Sequence, residues 1–236
     1  MIRGEPQEFR DMDNNDLAAM VKAVGNRFGY EDATASYSPM NEFKVKWTRT
    51  YKWISLDISD YLDDAPEDVM ECLLTTIFRR IAGEDSVEYG QPLVDWLRSE
   101  GFVRSKQSLF VRRFRGLSLS TEGKHRDLAD SYRRLIDKGL VEEDPLTYIG
   151  WAIYPSTKIV GKTSAIMKVI AISEVLDSEA VSEDVLDYCL YSQLARVKLG
   201  FNPGPERRGV EYDALLDKYP DRMAMDRKLK CMNMHI

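Results

Sequence analysis

Three polar residues, Ser192, Gln193 and Arg196, occupy positions i, i+1 and i+4 in the middle of a predicted helix. On a helix this spacing places the first and last side chains one turn apart on one face. Two histidines hold a zinc ion in this way, while a glutamate beside the first acts as general base. Here a hydroxyl and a guanidinium replace the imidazoles, and an amide replaces the carboxylate. Because arginine stays protonated near neutral pH and glutamine cannot take a proton from water, the spacing is present without its chemistry.

The element that carries these residues is predicted to be a core-facing helix over residues 182–199. Apolar side chains recur there at three- and four-residue steps, which is typical of a helix with one buried face. Ser182, followed by Glu183 and Asp184, is a favourable helix start. The apolar positions are Val185, Leu186, Cys189, Leu190, Leu194 and Val197.

The residues around this helix resemble the SprT-like and YgjP-like metallopeptidases, which typically read V-x-[DE]-Y-V-[hydrophobic]-x-H-E-[hydrophobic]-x-H. The matching flank of this chain is Val185, Asp187, Tyr188, Cys189 and Leu190. A third family histidine falls at Arg208. Beyond it, Tyr219-Pro220 and a charged helix over 221–230 are similar to the closing elements of the family. The resemblance covers about residues 146 to 232.

This resemblance implies an α+β fold of the zincin type, with a small antiparallel sheet packed by helices. Since the ligands and the base are absent, it also implies a catalytically inactive relative, a pseudoenzyme that acts as a protein-binding or scaffold module and needs no cofactor. We expect Arg196 or Arg208 to pair with Glu211 or Asp187, so that charge fills the place of a metal. A metal-dependent hydrolase with an atypical site is an alternative.

Composition limits the classes of protein to which the chain can belong. The chain has 236 residues, a net charge of -6 and 44% hydrophobic residues, which is typical of a globular protein. It lacks an apolar run long enough to span a bilayer and a secretory segment, so we expect a cytoplasmic protein with no membrane partner. Cys72, Cys189 and Cys231 are widely separated, which argues against a disulfide framework or a zinc ribbon. His125 and His235 are the only histidines and cannot form a paired zinc site.

A basic and aromatic segment over residues 104–115 predicts an alternative function. Between Gly101 and Thr121 there is no acidic residue. Cations can bind phosphate and aromatic rings can stack on bases, so this segment would suit a nucleic-acid-associated module. The other interpretation is a solvated loop or strand whose arginines pair with acidic residues elsewhere. The candidate residues are Arg104, Lys106, Phe110, Arg112, Arg113, Phe114 and Arg115.

The predicted elements divide the chain into four regions. A loose segment (1–16) precedes an α+β half (17–90), a basic and helical connecting region (91–145) and the metallopeptidase-like half (146–236). In the first half we predict a helix from Leu17 to about Gly29, a loop over 31–41, two strands or one long bent strand within 43–59, and a helix over 67–83. In the last region, three strands in antiparallel order lead to the helix at 182–199.

The two halves also match each other in sequence. Ile58-Ser59 matches Ile172-Ser173 at an offset of 114 residues, and Glu67-Asp68-Val69 matches Glu183-Asp184-Val185 at an offset of 116. We interpret this as a degenerate internal repeat of strand, turn and helix. The other interpretation is that any strand followed by an acid-capped helix gives such a match. In the first copy Thr76, Ile77 and Arg80 take the motif positions.

Overall fold

The computed structural model of the chain describes residues 14–84, 86–153, 157–201 and 205–236, except for the side chains of 14 and 205–208. These residues form two compact units, of which the first ends at Trp96 and the second begins at Leu97. Each unit combines helices with a three-stranded sheet, so the predicted α+β class is confirmed. None of the helices described is long and apolar enough to cross a membrane.

The first unit is built around a mixed sheet with the strand order β1-β3-β2. Strand β3 pairs with β1 in parallel and with β2 in antiparallel orientation. The elements, in chain order, are α1 (Asn14–Arg27), β1 (Asp32–Ser38), β2 (Val45–Arg49), β3 (Trp53–Ser59), a 3₁₀ helix (Asp60–Leu62), α2 (Glu67–Ile81) and α3 (Gln91–Arg98), which crosses the boundary of the units. The predicted α1, β2, β3 and α2 are confirmed.

Two predictions at the start of the chain need correction. The segment 31–41 was predicted as a loop, but β1 occupies most of it. Its helix-facing positions are Ala33, Ala35 and Tyr37, so it carries no Val or Ile to mark a strand. Pairing with β3 holds it as a strand. The predicted loose segment 1–16 lies outside the described residues as far as residue 13, and Asn14–Asp16 already belong to α1.

The second unit has a sheet of the same topology, with the order β4-β6-β5. Its elements are α4 (Glu100–Arg113), α5 (Leu128–Asp137), β4 (Tyr148–Ala152), β5 (Gly161–Ser164), β6 (Val169–Ser173), a 3₁₀ helix (Glu174–Leu176), α6 (Glu183–Leu199), α7 (Pro205–Leu216) and α8 (Arg222–Cys231). The three strands were predicted in antiparallel order, but β4 and β6 are parallel. Strand direction depends on the path of the connections, which local periodicity does not record.

Helix α6 is the centre of the second unit. It begins after Ser182 and ends at Gly200, whose φ of 62° suits a residue without a Cβ. Every residue from Val185 to Ala195 is buried, so the helix is enclosed on all sides rather than on one face. It packs in one core with β6, α5, α7 and α8. The predicted core helix at 182–199 is therefore confirmed and is more deeply buried than its pattern suggested.

The approach to α5 is fixed by one carboxylate. Asp177 accepts hydrogen bonds from the backbone N–H groups of Lys124 (2.5 Å), His125 (2.9 Å) and Arg126 (2.9 Å). Burial of Asp177 opposes its ionisation, but these N–H groups and the His125 side chain outweigh that effect and lower the pKa of the carboxyl below its ordinary value. The loop before α5 is thus held to the segment after β6 by an ionised group.

We expect Asp177→Asn to lower the free energy of unfolding by about 2 kcal/mol near neutral pH, because the amide is a weaker acceptor for three N–H donors. A carboxyl whose pKa is lowered in the folded state stabilises the fold fully when the pH is above its ordinary pKa of about 3.9. This stabilisation is lost as the pH falls through the lower pKa of the folded state. The difference from wild type should therefore shrink below about pH 4 in urea unfolding. Glu179→Gln, at an exposed neighbouring residue, is the control and should show little difference at either pH.

Candidate functional site

The motif positions on α6 are joined by a chain of hydrogen bonds. Thr163 Oγ1 of β5 donates to Gln193 Oε1 (2.9 Å), Gln193 Nε2 donates to Ser192 Oγ (3.0 Å), and Ser192 Oγ donates to the Cys189 carbonyl oxygen (2.6 Å). Ser192 and Gln193 are both buried. Each polar group therefore has a partner within the fold, as buried polar groups require.

Arg196, an exposed residue just beyond the enclosed stretch of α6, completes this cluster. Its guanidinium carbon lies 4.7 Å from the centroid of the Tyr212 ring on α7, a cation–π geometry. Burial raises the pKa of Tyr212, and Arg196 and Ser192 partly oppose that shift, so the phenol stays neutral near neutral pH. The Tyr212 hydroxyl is buried beside Ser192 and Arg196. The predicted position Arg208 also lies on α7, but its side chain is outside the described residues.

Asp187 has a different role from the one predicted. Its side chain is fully buried and accepts hydrogen bonds from Ser131 Oγ (2.7 Å), from Arg134 Nη2 (2.7 Å) and from Lys138 Nζ (3.2 Å), all on α5. The hydrogen bond with Asp187 raises the pKa of Arg134 above its ordinary value. The prediction that Asp187 pairs with Arg196 is therefore wrong, because Asp187 faces α5 while Arg196 faces α7. The physical reason is the helical period, which places positions 187 and 196 on opposite faces.

The first unit has a similar arrangement at the positions matched to the motif. On α2, Thr76 is buried and its Oγ1 donates to the Cys72 carbonyl oxygen (2.9 Å), much as Ser192 donates to Cys189. The Arg80 guanidinium carbon lies 4.2 Å from the Tyr89 ring centroid, and Arg80 Nη1 donates to the Tyr89 hydroxyl (3.0 Å). Both helices thus carry a buried hydroxyl residue and, one turn later, an arginine stacked on tyrosine.

The motif cluster does not fit the zinc ion that the resemblance would imply. Zinc sites use imidazole, thiolate or carboxylate ligands. The described cluster offers a serine hydroxyl and an amide that are already hydrogen-bonded, together with a cation that would repel the metal. No group of three or more His, Cys, Asp or Glu side chains suited to a metal occurs in the described ranges. We therefore assign no metal-dependent step to this cluster.

A cavity of about 880 Å³ lies along another face of α6. Four of its lining residues recur at helical spacing on the side of α6 turned away from Ser192 and Arg196. They are Tyr191, Leu194, Ala195 and Lys198. Apolar and polar surfaces contribute about equally to the lining. The charged lining residues include Glu142 and Glu143 in the loop after α5, and Lys198 and Lys218 near the ends of α6 and α7. A cavity of this size, lined by both apolar and charged side chains, has the general character of a ligand or peptide site.

The basic and aromatic segment 104–115 forms most of α4 and is neither the loop nor the strand predicted as its second interpretation. Ser99 caps this helix by accepting a hydrogen bond from Phe102 N (3.2 Å). Lys106 and Phe110 are buried, and the Phe110 and Phe114 rings pack edge to face. Arg104 lies 3.4 Å from Glu100. Arg112 and Arg115 are exposed, and Arg113 and Phe114 are half-buried. The helix therefore places Phe110 in the core, where it cannot stack on a base.

Two contributors to the cluster, Thr163 of β5 and Tyr212 of α7, were not predicted from the sequence to lie beside the motif positions. The cavity was also missed, because its lining comes from segments far apart in the chain. A free, buried cysteine was expected at Cys189, and burial does raise the pKa of its thiol well above its ordinary value.

Comparison with known proteins found no family model that matches the sequence, and no curated protein or solved structure that matches it either.

Proposed function

We propose that the second unit is a catalytically silent relative of the SprT-like and YgjP-like metallopeptidases, with a zincin-like fold, and that it acts by binding a protein partner. The observation that carries this proposal is the hydrogen-bonded chain from Thr163 through Gln193 to Ser192. It occupies the motif positions with groups that satisfy one another, so no open coordination position is left for chemistry. Arg196 on Tyr212 closes the same cluster.

The cavity along α6 is the proposed place for a peptide of the partner. Leu194 and Ala195 contribute apolar lining, and the acidic and basic side chains of the lining would orient a chain that carries both charges. Binding on this face of α6 is compatible with a motif cluster that is sealed on the other face. The role is thus recognition by a rigid helix rather than hydrolysis.

We also propose that the two units are worn copies of one ancestral unit, as the sequence match suggested. Their sheets support this through equal registers: Ser38 pairs with Ser59 as Ala152 pairs with Ser173, an offset of 114 residues. In the antiparallel pairs, Val45 faces Ile58 as Gly161 faces Ile172. Each third strand leads to a 3₁₀ helix and then to a long helix that begins at Glu67 or Glu183. These offsets equal those of the sequence match.

Zinc content tests the proposal. Purified wild-type protein is expected to hold no stoichiometric zinc and to cleave no unfolded protein substrate. A variant that carries Ser192→His, Gln193→Glu, Arg196→His and Arg208→His should gain a zinc site, because the proposed framework already places these positions together. We expect zinc affinity to rise by at least about 100-fold over wild type, measured by competition with a chromogenic chelator.

The control variant carries three histidines at α6 positions that do not belong to the motif, namely Glu183, Asp184 and Lys198. It should gain no tight site. One equivalent of tightly bound zinc in the wild-type protein would overturn the silent assignment. A folded four-residue variant that fails to bind zinc would overturn the zincin-like framework itself.

A further inference from the structure

The hairpin formed by β2 and β3 in the first unit exposes aromatic side chains to an unusual degree. Trp47, Tyr51 and Trp53 are 48%, 84% and 41% exposed, and they are the exposed large aromatic residues of the described chain. All three lie within seven consecutive residues. Single exposed apolar residues are common on protein surfaces, but a cluster of them marks an interaction site.

The same hairpin is positively charged in a chain whose net charge is -6. Four basic residues alternate with the aromatic residues: Lys44, Lys46, Arg49 and Lys52. No acidic residue occurs from Phe43 to Leu56. Two salt bridges involve these cations: Glu42 lies 3.3 Å from Lys44, and Glu31 lies 2.7 Å from Lys52. Both pairs are solvent-exposed and therefore weak, so a phosphate could replace either carboxylate.

Register shows how these residues share the sheet. Six exposed residues lie on the face opposite the helices. They are Trp53 and Ser55 of β3, Lys46 and Thr48 of β2, and Thr34 and Ser36 of β1. Asp32 and Asp57 also lie on this face, opposite Trp53 and Lys46. Trp47 and Arg49 lie on the other face of β2, where Arg49 Nη1 donates to the Tyr30 hydroxyl (3.4 Å), and Tyr51 lies in the turn. The aromatic and basic groups thus surround the turn end of the hairpin and border an open face rich in hydroxyls.

The second unit lacks this open face. All five residues of β6 are buried, and the segment after α4 lies against β4 through the bond from Ser118 N to the Trp151 carbonyl oxygen (2.8 Å). Two sheets of one topology therefore differ in whether one face is covered. The exposure of the first sheet is a feature of that unit and does not follow from the topology.

We propose that the β2–β3 hairpin and the adjoining open face bind single-stranded nucleic acid. Unpaired bases offer flat surfaces for Tyr51 and Trp53, the phosphates meet Lys46, Arg49 and Lys52, and the hydroxyl side chains suit phosphate and sugar oxygens. A duplex is disfavoured because its bases are already stacked. Pairing of a peptide strand with β2 is disfavoured by the charged side chains along this edge. This site is separate from segment 104–115 and goes beyond the proposed function.

The test uses the full-length protein and fluorescently labelled oligouridine and oligothymidine of about 12 nucleotides, with a duplex of equal length. Single strands should bind and quench tryptophan fluorescence, and their affinity should fall steeply with salt. Tyr51→Ala and Trp53→Thr should each weaken binding by about 5- to 100-fold. Lys46→Gln with Arg49→Gln should lower the slope of log affinity against log salt by about 1.4.

Two matched controls locate the site. Leu119→Ala removes another exposed apolar side chain, 81% exposed, outside the hairpin, and Arg112→Gln with Arg115→Gln removes exposed charges from the end of α4. Neither should change affinity more than about twofold. Circular dichroism spectra and urea midpoints equal to those of wild type show that the hairpin variants fold. A variant that fails this check is replaced by Tyr51→Ser, since residue 51 lies in the turn.

The proposal is overturned if no single strand binds at low salt, or if the α4 variant weakens binding as much as the hairpin variants. It is also overturned if the duplex binds as tightly as the single strand, since stacking would then play no part. Equal binding of polyglutamate, unaffected by Tyr51→Ala, would show a site for acidic polypeptides instead.

Discussion

Asp187→Ala is expected to destabilise the second unit by about 3 kcal/mol, the lower part of the range for breaking a buried ion pair. The carboxylate is fully buried and satisfies Ser131, Arg134 and Lys138 at once. Its removal leaves a buried hydroxyl and two cations without their acceptor. Because Arg134 and Lys138 are partly exposed, water can recover some of the loss, which keeps the effect below the upper limit.

Urea unfolding measures this change, and hydrogen exchange of α6 peptides reports the second unit separately from the first. Asp184→Ala is the matched control on the same helix, since Asp184 is 66% exposed and lies 3.8 Å from Lys138. It should cost less than about 1 kcal/mol. Asp187→Asn should fall between the two, because the amide keeps one acceptor. Equal effects at Asp184 and Asp187 would contradict the structural role given to the buried carboxylate.

Gly150→Ala should destabilise the second unit by about 2–3 kcal/mol through overpacking. A Cβ at Gly150 would overlap the backbone oxygen of Ser118 and lie 3.2 Å from Leu117 Cδ1. A backbone oxygen cannot rotate away as a side chain can. The segment 116–121 would have to move and stretch the bonds from Ser118 N to Trp151 O (2.8 Å) and from Ile153 N to Gly116 O (2.6 Å).

Two readouts are available for this variant. The urea midpoint should fall, and the fluorescence of Trp151 should shift to longer wavelength, because its Nε1 donates to the Thr121 carbonyl oxygen (2.7 Å) in the displaced segment. Gly209→Ala is the control, since a Cβ there meets nothing within 4 Å and α7 should gain up to about 1 kcal/mol from helix propensity. An unchanged midpoint and spectrum for Gly150→Ala would show that segment 116–121 is not held against β4.

Prediction from sequence succeeded where one residue pattern dominates an element. The core helix at 182–199, the helix over 67–83 and the two strands within 43–59 follow from apolar spacing and capping residues, and each is present within a few residues. It failed at β1, where Ala33 and Ala35 give no strand signal, and at α4, where basic and aromatic residues were judged by their chemistry. Phe110 and the C-cap residue Phe114 are spaced by one helical turn, and this spacing is the helical signal of the segment.

The sequence by itself determined the α+β class, the burial of α6 and the absence of metal-binding chemistry at Ser192, Gln193 and Arg196, because these depend on residue types and on local period. Only the tertiary structure decided that Asp187 is held by α5, that Arg196 stacks on Tyr212, and that the β2–β3 hairpin is exposed while β6 is covered. These features join residues distant in the chain. Their geometry is set by how helices and strands pack, which no local pattern contains.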